Sequence, residues 1–304
     1  MFKMSEYSFV AGLLATGLAL IVYLLAFASL RLARSRTAYA GAGGPALGNA
    51  AMPTVTVTSG TTRGGLGTYA TIITWLAFVF LTAALIFRAI HTGHGPFANM
   101  YEFSIAFAWG TLGGYLYFER KYRQRVLALV ALPVALAMML YATTIPATAE
   151  PLVPALQNNL LLTVHVAVAI IAYGTFSVAF GAAVLHLVQP ATGRRGLPRP
   201  ELLDEISYRA VVIGFPFLTL VIVLGAVWAD VAWGSYWSWD PKETASLVTW
   251  LIYGAYLHAR VVRGWRGNKA ALLLVLGFAA TLFTYFGNLF FGGLHSYSGL
   301  NNNN

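Results

Sequence analysis

The chain has 304 residues, of which 58% are hydrophobic and 10% are charged. A water-soluble domain carries about a quarter charged residues, so a soluble fold is excluded. The apolar residues form runs of about 20, the length of a membrane-spanning helix. The formal charge of +9 lies between these runs, which assigns it to membrane orientation rather than to nucleic-acid binding. Cysteine is absent, so the chain itself offers no thiol.

Eight apolar runs predict an all-α polytopic membrane protein with about eight transmembrane helices, because backbone amides within lipid must be satisfied inside each segment. In chain order the predicted spans are Ser8–Leu30, Thr68–Phe87, Tyr101–Phe118, Val126–Ala142, Leu160–Val188, Ala210–Trp228, Thr244–Ala259 and Ala270–Phe291. Residues 1–37 are predicted to be a first helix with a basic stop. Residues 38–67 are predicted to be a flexible cytoplasmic linker, and 68–304 a transmembrane core.

The basic residues alternate from one side to the other. All lysines and arginines except Lys3, Arg88 and Lys242 follow spans one, three, five and seven. The four groups are Arg31, Arg34, Arg36 and Arg63; Arg120, Lys121, Arg123 and Arg125; Arg194, Arg195, Arg199 and Arg209; and Arg260, Arg263, Arg266 and Lys269. Because basic segments stay in the cytoplasm, both termini are predicted to lie outside.

Three of the outer segments differ from ordinary loops: His91–Glu102, the proline-rich Thr143–Asn159, and 228–243. The last concentrates aromatic residues, namely Trp228, Trp233, Tyr236, Trp237 and Trp239. An interfacial aromatic belt accounts for one or two tryptophans at a helix end. It does not account for so many around a backbone constrained by Gly234 and Pro241. A flat aromatic platform instead suits a large planar apolar ligand.

Histidines are placed near both predicted membrane faces. His91, His94, His165 and His295 fall at the outer face, beside the tryptophan segment. His258 falls near the inner end of span seven, about 21 Å from its outer end at 1.5 Å per residue. Ionisable residues inside apolar spans are costly, which favours functional roles for His165 and His258. His91, and His186 at the inner end of span five, are equally explained as interfacial polar groups.

Two imidazoles from different helices are suited to the axial positions of haem iron. Zinc is the alternative, but it needs more tight ligands and the chain has no cysteine. The aromatic platform therefore favours haem. Arg88, Lys242 and the indole N–H groups are the outer candidates for binding its propionates. Asn99, Tyr101 and Glu102 follow a helix-start pattern, which favours anchoring span three over a role in the site.

Trp233–Thr244 resembles the WWD signature of haem-handling membrane proteins. Gly93–Glu102, the region of His165, Thr249–His258 and Gly293–Tyr297 are similar to one branch, the CcsA (ResC) family of System II cytochrome c synthase subunits. The resemblance runs from span two to the C-terminus. It implies a haem-handling core over 68–304 with a WWD loop at 228–243.

The resemblance implies roles for individual residues. His165 and His295 would be axial ligands of haem b at the outer site, with His94, Trp228, Tyr236, Arg88 and Lys242 also contacting the cofactor. His258 would ligate haem arriving from the cytoplasmic side, with the second ligand supplied by a CcsB (ResB)-like subunit. Trp233, Trp237, Trp239 and Asp240 would be the catalytic group. Asp240 and Glu243 would either order the loop or contact the apocytochrome, and these two roles stay open.

The implied function is haem transport followed by thioether formation at a Cys-x-x-Cys-His segment of apocytochrome c, a cytochrome c haem-lyase activity. Thiol-reducing proteins could act alongside. The expected location is the bacterial plasma membrane, or the thylakoid membrane in a plastid, with the site on the non-cytoplasmic face. The alternatives are a haem exporter, a haem-delivery protein of another WWD branch, and a b-type quinol cytochrome.

Overall fold

A computed structural model describes residues 1–40, 65–148, 159–190, 196–287 and 290–295. Within these ranges the chain forms eight α-helices and a short 3-10 turn at Arg125–Leu127, with no strand. The helices are α1 Phe2–Ala40, α2 Leu66–Thr92, α3 Met100–Tyr122, α4 Ala128–Thr143, α5 Asn159–Leu187, α6 Pro200–Trp233, α7 Pro241–Val262 and α8 Asn268–Phe286. The predicted fold class, an all-α polytopic membrane protein, is confirmed.

Six of these helices are long and apolar enough to cross a membrane: α1, α2, α4 with the turn before it, α5, α6 and α8. Helices α3 and α7 are more polar. Most of α3 is buried against α2, α4 and α5, and its buried residues include Glu102 and Glu119. A helix enclosed by its neighbours can keep such residues because they find partners inside the bundle.

Several helix boundaries differ from the predicted ones. Helix α1 extends to Ala40 and α2 begins at Leu66, while residues 41–64, most of the predicted linker, lie outside the described part of the chain. Helix α6 begins at Pro200 rather than Ala210 and therefore includes Arg209. Helix α8 ends at Phe286 rather than Phe291. Hydropathy reports an apolar run rather than a helix. It therefore misses the polar first turns of α6 and includes apolar residues that follow the end of α8.

At one end of the bundle, Arg88 holds three segments together. Its Nε donates to Glu102 Oε1 at 2.7 Å, and both side chains are almost completely buried. Its two terminal nitrogens donate to the carbonyls of Ala147 and Thr148 at 2.6 and 2.9 Å. Arg88 thereby joins the end of α2 to the start of α3 and to the segment after α4.

At the opposite end, Glu119 of α3 is the acceptor for three other segments. Its carboxylate accepts hydrogen bonds from Thr71 at 2.6 Å, Tyr23 at 3.3 Å and Arg125 at 3.2 Å. These donors come from α2, α1 and the 3-10 turn. These segments therefore meet on the side of the bundle opposite Arg88. Which side faces the cytoplasm stays a prediction.

A second ion pair joins two helices at the same end of the bundle as Glu119. Arg260 of α7 pairs with Asp204 of α6 at 2.6 Å. His186 lies nearby on α5, is buried, and places its Nδ1 3.1 Å from the Pro200 carbonyl. His186 therefore packs as a polar group at the helix end, the simpler of the two explanations for it.

Replacing Arg88 with methionine keeps the volume but leaves Glu102 buried without its cation. Breaking one partner of a buried pair costs about 3–5 kcal/mol. We expect Arg88→Met to lower the free energy of unfolding in detergent by that order. Arg209→Met is the matched control, because its pair with Glu205 is exposed, and it should stay close to wild type. Equal effects of the two substitutions would contradict this account of Arg88.

Candidate functional site

A partly open cavity lies at the Arg88 end of the bundle. Its empty volume is about 1060 Å³, including the space at its mouth. Its walls come from α3, α5, α6, α7 and α8, together with the aromatic loop and the C-terminal segment. On α5 the lining runs from Leu162 to Tyr173, about 16 Å along the helix at 1.5 Å per residue. The cavity is therefore deep enough for a large ligand.

The lining is apolar at depth. Phe107, Ile170 and Ile222 contribute side chains there. Two of the lining hydroxyl groups are paired within the protein: Tyr285 with Ser104 at 2.8 Å, and Thr284 with Thr249 at 2.9 Å. Tyr173 also lines this part of the cavity. A ligand here therefore meets mainly hydrocarbon and aromatic surface.

His165 reaches the cavity from α5. Its ring lies 6.4 Å from that of Trp228, with 20° between the two planes. It also packs against Gly225 of α6, where a β-carbon would lie 2.9 Å from His165 Cε1. Its Nδ1 is buried and has no hydrogen-bond partner among the described residues. Steric contacts with α6 therefore contribute to the position of this imidazole.

His295 reaches the same cavity from the C-terminal segment. Its Nδ1 lies 2.8 Å from Asp240 Oδ1. Its ring contacts those of Trp233 and Trp228, at centroid distances of 4.9 and 5.7 Å. The structure thus brings His165 and His295 together in one cavity, with Trp228 as a neighbour of both.

The charge states of His295 and Asp240 follow from this contact. Burial lowers the pKa of His295 below its usual 6.5, and the hydrogen bond to Asp240 offsets this only in part. Burial by itself would raise the pKa of Asp240, but hydrogen bonds from His295 and from the amides of Lys242 and Leu294 lower it to about 2. At neutral pH the pair is a carboxylate accepting from a neutral imidazole, whose Nε2 keeps its lone pair.

The non-helical part of the predicted segment 228–243 is shorter than the segment itself. Helix α6 continues through Trp233, and Gly234, with a φ of 75° in the left-handed region, caps it. Helix α7 begins at Pro241. The aromatic loop is therefore residues 234–240. Tryptophan at the end of an apolar helix gives no signal of where the helix stops, which explains the difference.

A capping box begins α7. The Asp240 side chain accepts from the amide of Lys242 at 2.9 Å, and Glu243 Oε2 accepts from the amides of Ser238 and Asp240. Asp-Pro-Lys-Glu is a helix-start pattern that could have predicted this boundary. Of the two roles left open for Asp240 and Glu243, ordering the loop is the one these contacts support.

The loop aromatics divide into two groups. Tyr236 and Trp237 line the cavity, although Tyr236 is also 62% exposed. Trp239 is 69% exposed and lies outside the described lining. Its φ of 60° is unusual for a residue with a side chain, and its ring stands edge-on to Trp237 at 5.7 Å. Trp233 contacts the cavity only through His295 and Trp228.

The two candidate cations are placed differently. Lys242 lines the cavity, with its ammonium 5.6 Å from the centre of the Phe103 ring. Arg88 donates its hydrogen bonds to Glu102 and two carbonyls, as described above. It is not one of the described residues that line the cavity. Sequence could not separate these two cations, because their partners come from distant segments.

The remaining candidates lie away from the cavity. The Nδ1 of His94 is 2.8 Å from the carbonyl of Gly95, and His91 is exposed against Phe2. Neither histidine is among the described lining residues. His258 is exposed on α7, toward the end where Arg260 pairs with Asp204. Of the four histidines expected at the outer face, His165 and His295 are the two that line the cavity in the described part of the chain.

The start of α3 matches its predicted structural role. The Asn99 side chain accepts from the amide of Glu102 at 3.0 Å, and Glu102 accepts in return from the amide of Ala98 at 2.6 Å. The prediction that this sequence anchors the helix is confirmed. Sequence reasoning identified Trp228 but missed Val221 and Gly225, which continue the cavity-lining face of α6 toward its middle. The spacing of four and three residues along Val221, Gly225 and Trp228 is the helical signal that could have revealed them.

Fold and cavity together define a polytopic helical membrane protein with a deep aromatic site that two histidines enter. Residues 97–295 match the family model described as cytochrome C assembly protein. The chain therefore belongs to the cytochrome c assembly protein family, and it takes part in cytochrome c maturation.

Similar proteins are named cytochrome c biogenesis protein CcsA. The chain is 38% identical to that of Guillardia theta over 256 residues, which cover 75% of this chain and 85% of the relative. It is 37% identical to that of Gloeothece citriformis over 279 residues, covering 73% and 85%. It is 36% identical to that of Gloeobacter violaceus over 300 residues, covering 78% and 88%.

The pair of Asp240 and His295 predicts a pH dependence. The pKa of Asp240 is about 2 in the folded protein, below its unfolded value of 3.8. Its ionised carboxylate therefore stabilises the folded state above pH 3.8, and this stabilisation is lost as pH falls toward 2. The contribution to the free energy of unfolding is about 2 kcal/mol. Because burial also lowers the pKa of His295, the folded state loses further stability as pH falls below 6.5 and this imidazole tends to become protonated.

Asp240→Asn removes the charge but keeps a good N-cap residue. We expect the variant to be less stable than wild type at pH 7, and the difference in unfolding free energy to narrow as pH falls from about 4 to 2. Unfolding measured across this range tests the prediction. A difference that stays constant with pH would show that the carboxylate charge is not what stabilises this contact.

Proposed function

We propose that the cavity binds haem b as substrate and that the chain is the haem-lyase subunit that attaches it to apocytochrome c. The observation that carries this proposal is the convergence of His165 and His295 on one deep apolar cavity, with Trp228 in contact with both rings. Two imidazoles and an aromatic surface are the groups that an iron porphyrin requires.

The residues present fit haem in three respects. The buried Nδ1 of His165 has no protein partner among the described residues, so this ring has capacity for a ligand. His295 donates from Nδ1 to a carboxylate, the arrangement that orients ligand histidines and raises their basicity. Phe107, Ile170 and Ile222 provide an apolar surface for the porphyrin, and the hydroxyls of Thr284 and Tyr285 are paired within the protein.

Each thioether forms when a thiol of the client adds across a haem vinyl group: sulfur bonds to one carbon, the thiol hydrogen goes to the other, and no net oxidation occurs. The chain supplies orientation and high effective concentration. His165 and His295 would ligate the haem iron and tune its redox potential. The histidine of the client Cys-x-x-Cys-His segment then replaces one of them, which favours release.

The aromatic residues take different parts in this proposal. Trp237, Tyr236 and Trp228, which line the cavity, contact the porphyrin. Trp239 is exposed and faces the client chain or the membrane surface. Trp233 and Asp240 touch His295 and act as positioning residues for it. This revises the catalytic role that the family resemblance implied for Trp233, Trp239 and Asp240.

Lys242 is the cation proposed for a haem propionate. Among the described lining residues it alone carries a positive side chain. The neighbouring Glu243 is occupied by Ser238 and Asp240, so it does not compete strongly for the ammonium. Arg88 is left out of the proposal because its donors are already used within the protein. His94 is left out because it lies off the cavity.

His258 is proposed to bind haem before it reaches the cavity. It is exposed on α7, so a second ligand can come from another chain. A CcsB (ResB)-like membrane subunit is the proposed source, with thiol-reducing proteins keeping the client cysteines reduced. The proposed location is a bacterial plasma membrane or a thylakoid membrane, with the cavity on the non-cytoplasmic face.

Among the alternatives, a quinol cytochrome needs two haems stacked within one bilayer. Here one histidine pair lies at one end of the bundle, and the exposed His258 lies toward the other. A haem exporter or a haem-delivery protein would share the cavity. They differ from a lyase in forming no thioether, so covalent haem in a client protein separates them.

Histidine substitutions test the site directly. Purified with its partner subunit, the wild-type protein should show the absorption spectrum of six-coordinate b-type haem. His165→Ala and His295→Ala should each lower haem content or make the bound haem prone to oxidation. His94→Ala is the matched control from the same end of the bundle and should retain the wild-type spectrum. Folded, haem-free wild-type protein under haem-replete conditions would rule out the proposal.

Substitution of Lys242 tests the propionate contact. A charge-assisted hydrogen bond contributes about 1.5–3 kcal/mol, so Lys242→Gln should weaken haem binding by about tenfold to a hundredfold. Lys242→Arg should retain most of the affinity. The control is Lys269→Gln, since Lys269 lies at the start of α8, at the opposite end. Unchanged haem affinity in Lys242→Gln would remove Lys242 from the site.

A further inference from the structure

The two cavity histidines are held in different ways. His295 has a polar partner, because its Nδ1 lies 2.8 Å from Asp240. His165 has none at Nδ1 among the described residues. The backbone of Val221 is the polar group that interacts with the His165 ring. No side chain among the described residues holds this ring as Asp240 holds His295, so packing must contribute to its orientation.

Helix α6 provides the surface against which this ring rests. Val221, Gly225 and Trp228 lie on one face of the helix and all line the cavity. Trp228 lies nearly parallel to the imidazole at 6.4 Å. Together these residues form a packing surface for the ring, and Gly225 is the part of that surface closest to it.

The imidazole can pack this closely against α6 only because residue 225 has no side chain. A β-carbon there would lie 2.9 Å from His165 Cε1, 3.4 Å from Nδ1 and 3.8 Å from Nε2. The first distance is below normal van der Waals contact. The imidazole would have to move, and Trp228 lies close to the ring. Either the ring turns into the cavity or α5 and α6 separate.

We infer that Gly225 is the positioning residue for His165, acting through the side chain it lacks, and that it determines how this imidazole meets haem. The inference deepens the proposed function and rests on it for the haem step. The steric contact itself can be tested without haem.

Alanine substitution isolates the contact. An alanine within a helix is ordinarily favourable compared with glycine, so a loss at position 225 reports a clash. Gly254→Ala is the matched control, because a β-carbon at Gly254 of α7 would lie at an ordinary 3.5 Å from Phe215 Cζ. Unfolding midpoints would be measured for Gly225→Ala, His165→Ala, the double variant and the control, all full-length and in the same detergent.

We expect Gly225→Ala to lower the unfolding midpoint in the wild-type background and to have little effect when His165 is already alanine. The double variant also keeps the test decisive if Gly225→Ala alone folds poorly, since removing the ring should restore folding to the level of His165→Ala. An equal loss in both backgrounds would overturn the inference, because the clash would then not involve His165.

A haem readout separates positioning from packing. Gly225→Ala should lower haem affinity by about tenfold or more, the scale of changes next to metal ligands, and should lose the six-coordinate spectrum. Gly254→Ala should retain both. An unchanged spectrum in Gly225→Ala would overturn the inference. If the wild-type protein binds no haem while the stability coupling between positions 225 and 165 is present, the proposed function fails and the steric contact stands.

Discussion

The contact between Asp240 and His295 joins two parts of the site. The same carboxylate caps helix α7 and accepts a hydrogen bond from the imidazole, so the start of a helix and the C-terminal segment are fixed together. A helix N-terminus carries partial positive charge, which favours the ionised carboxylate there. Gly293 allows the approach, since a β-carbon at that position would collide with Asp240 and Pro241. His295 belongs to no helix in the described chain, and its position depends on this contact.

The rest of the cavity is built on a different principle. His165 stands on a long helix and is held by packing against α6. The buried pair of Arg88 and Glu102 lies at the same end of the bundle and secures the start of α3, which contributes Phe103 and Phe107 to the wall. One ligand position is therefore set by a polar contact at a helix start, and the other by helix–helix packing.

Hydropathy and charge alternation were sufficient to predict the number and order of the helices. Helix ends were less predictable, because α6 continues past its apolar part at both Pro200 and Trp233. The residues most easily recognised were those with distinctive chemistry, His165 and His295. Their meeting in one cavity could not be derived from sequence, since it depends on how α5, α6 and the C-terminal segment pack.

Three residues show why the remainder of the site could not be predicted from the sequence. Arg88 and Lys242 are both cations next to predicted outer segments. Arg88 donates its hydrogen bonds to carbonyls distant in the sequence, whereas Lys242 lines the cavity. Gly225 is one of 30 glycines and lies in an apolar helix, so its neighbours in the sequence do not show that it packs against a histidine. Both distinctions arise from tertiary contacts between segments far apart in the chain.

The central claim is that the cavity joins haem to a client protein. The most direct measurement is covalent haem in a reporter cytochrome bearing a Cys-x-x-Cys-His segment, produced in cells whose only cytochrome c maturation proteins are this chain and its partner subunit. The account predicts thioether-linked haem with the wild-type chain and none when His165 and His295 are both alanine. Covalent attachment that persists without both histidines, with protein levels unchanged, would contradict it.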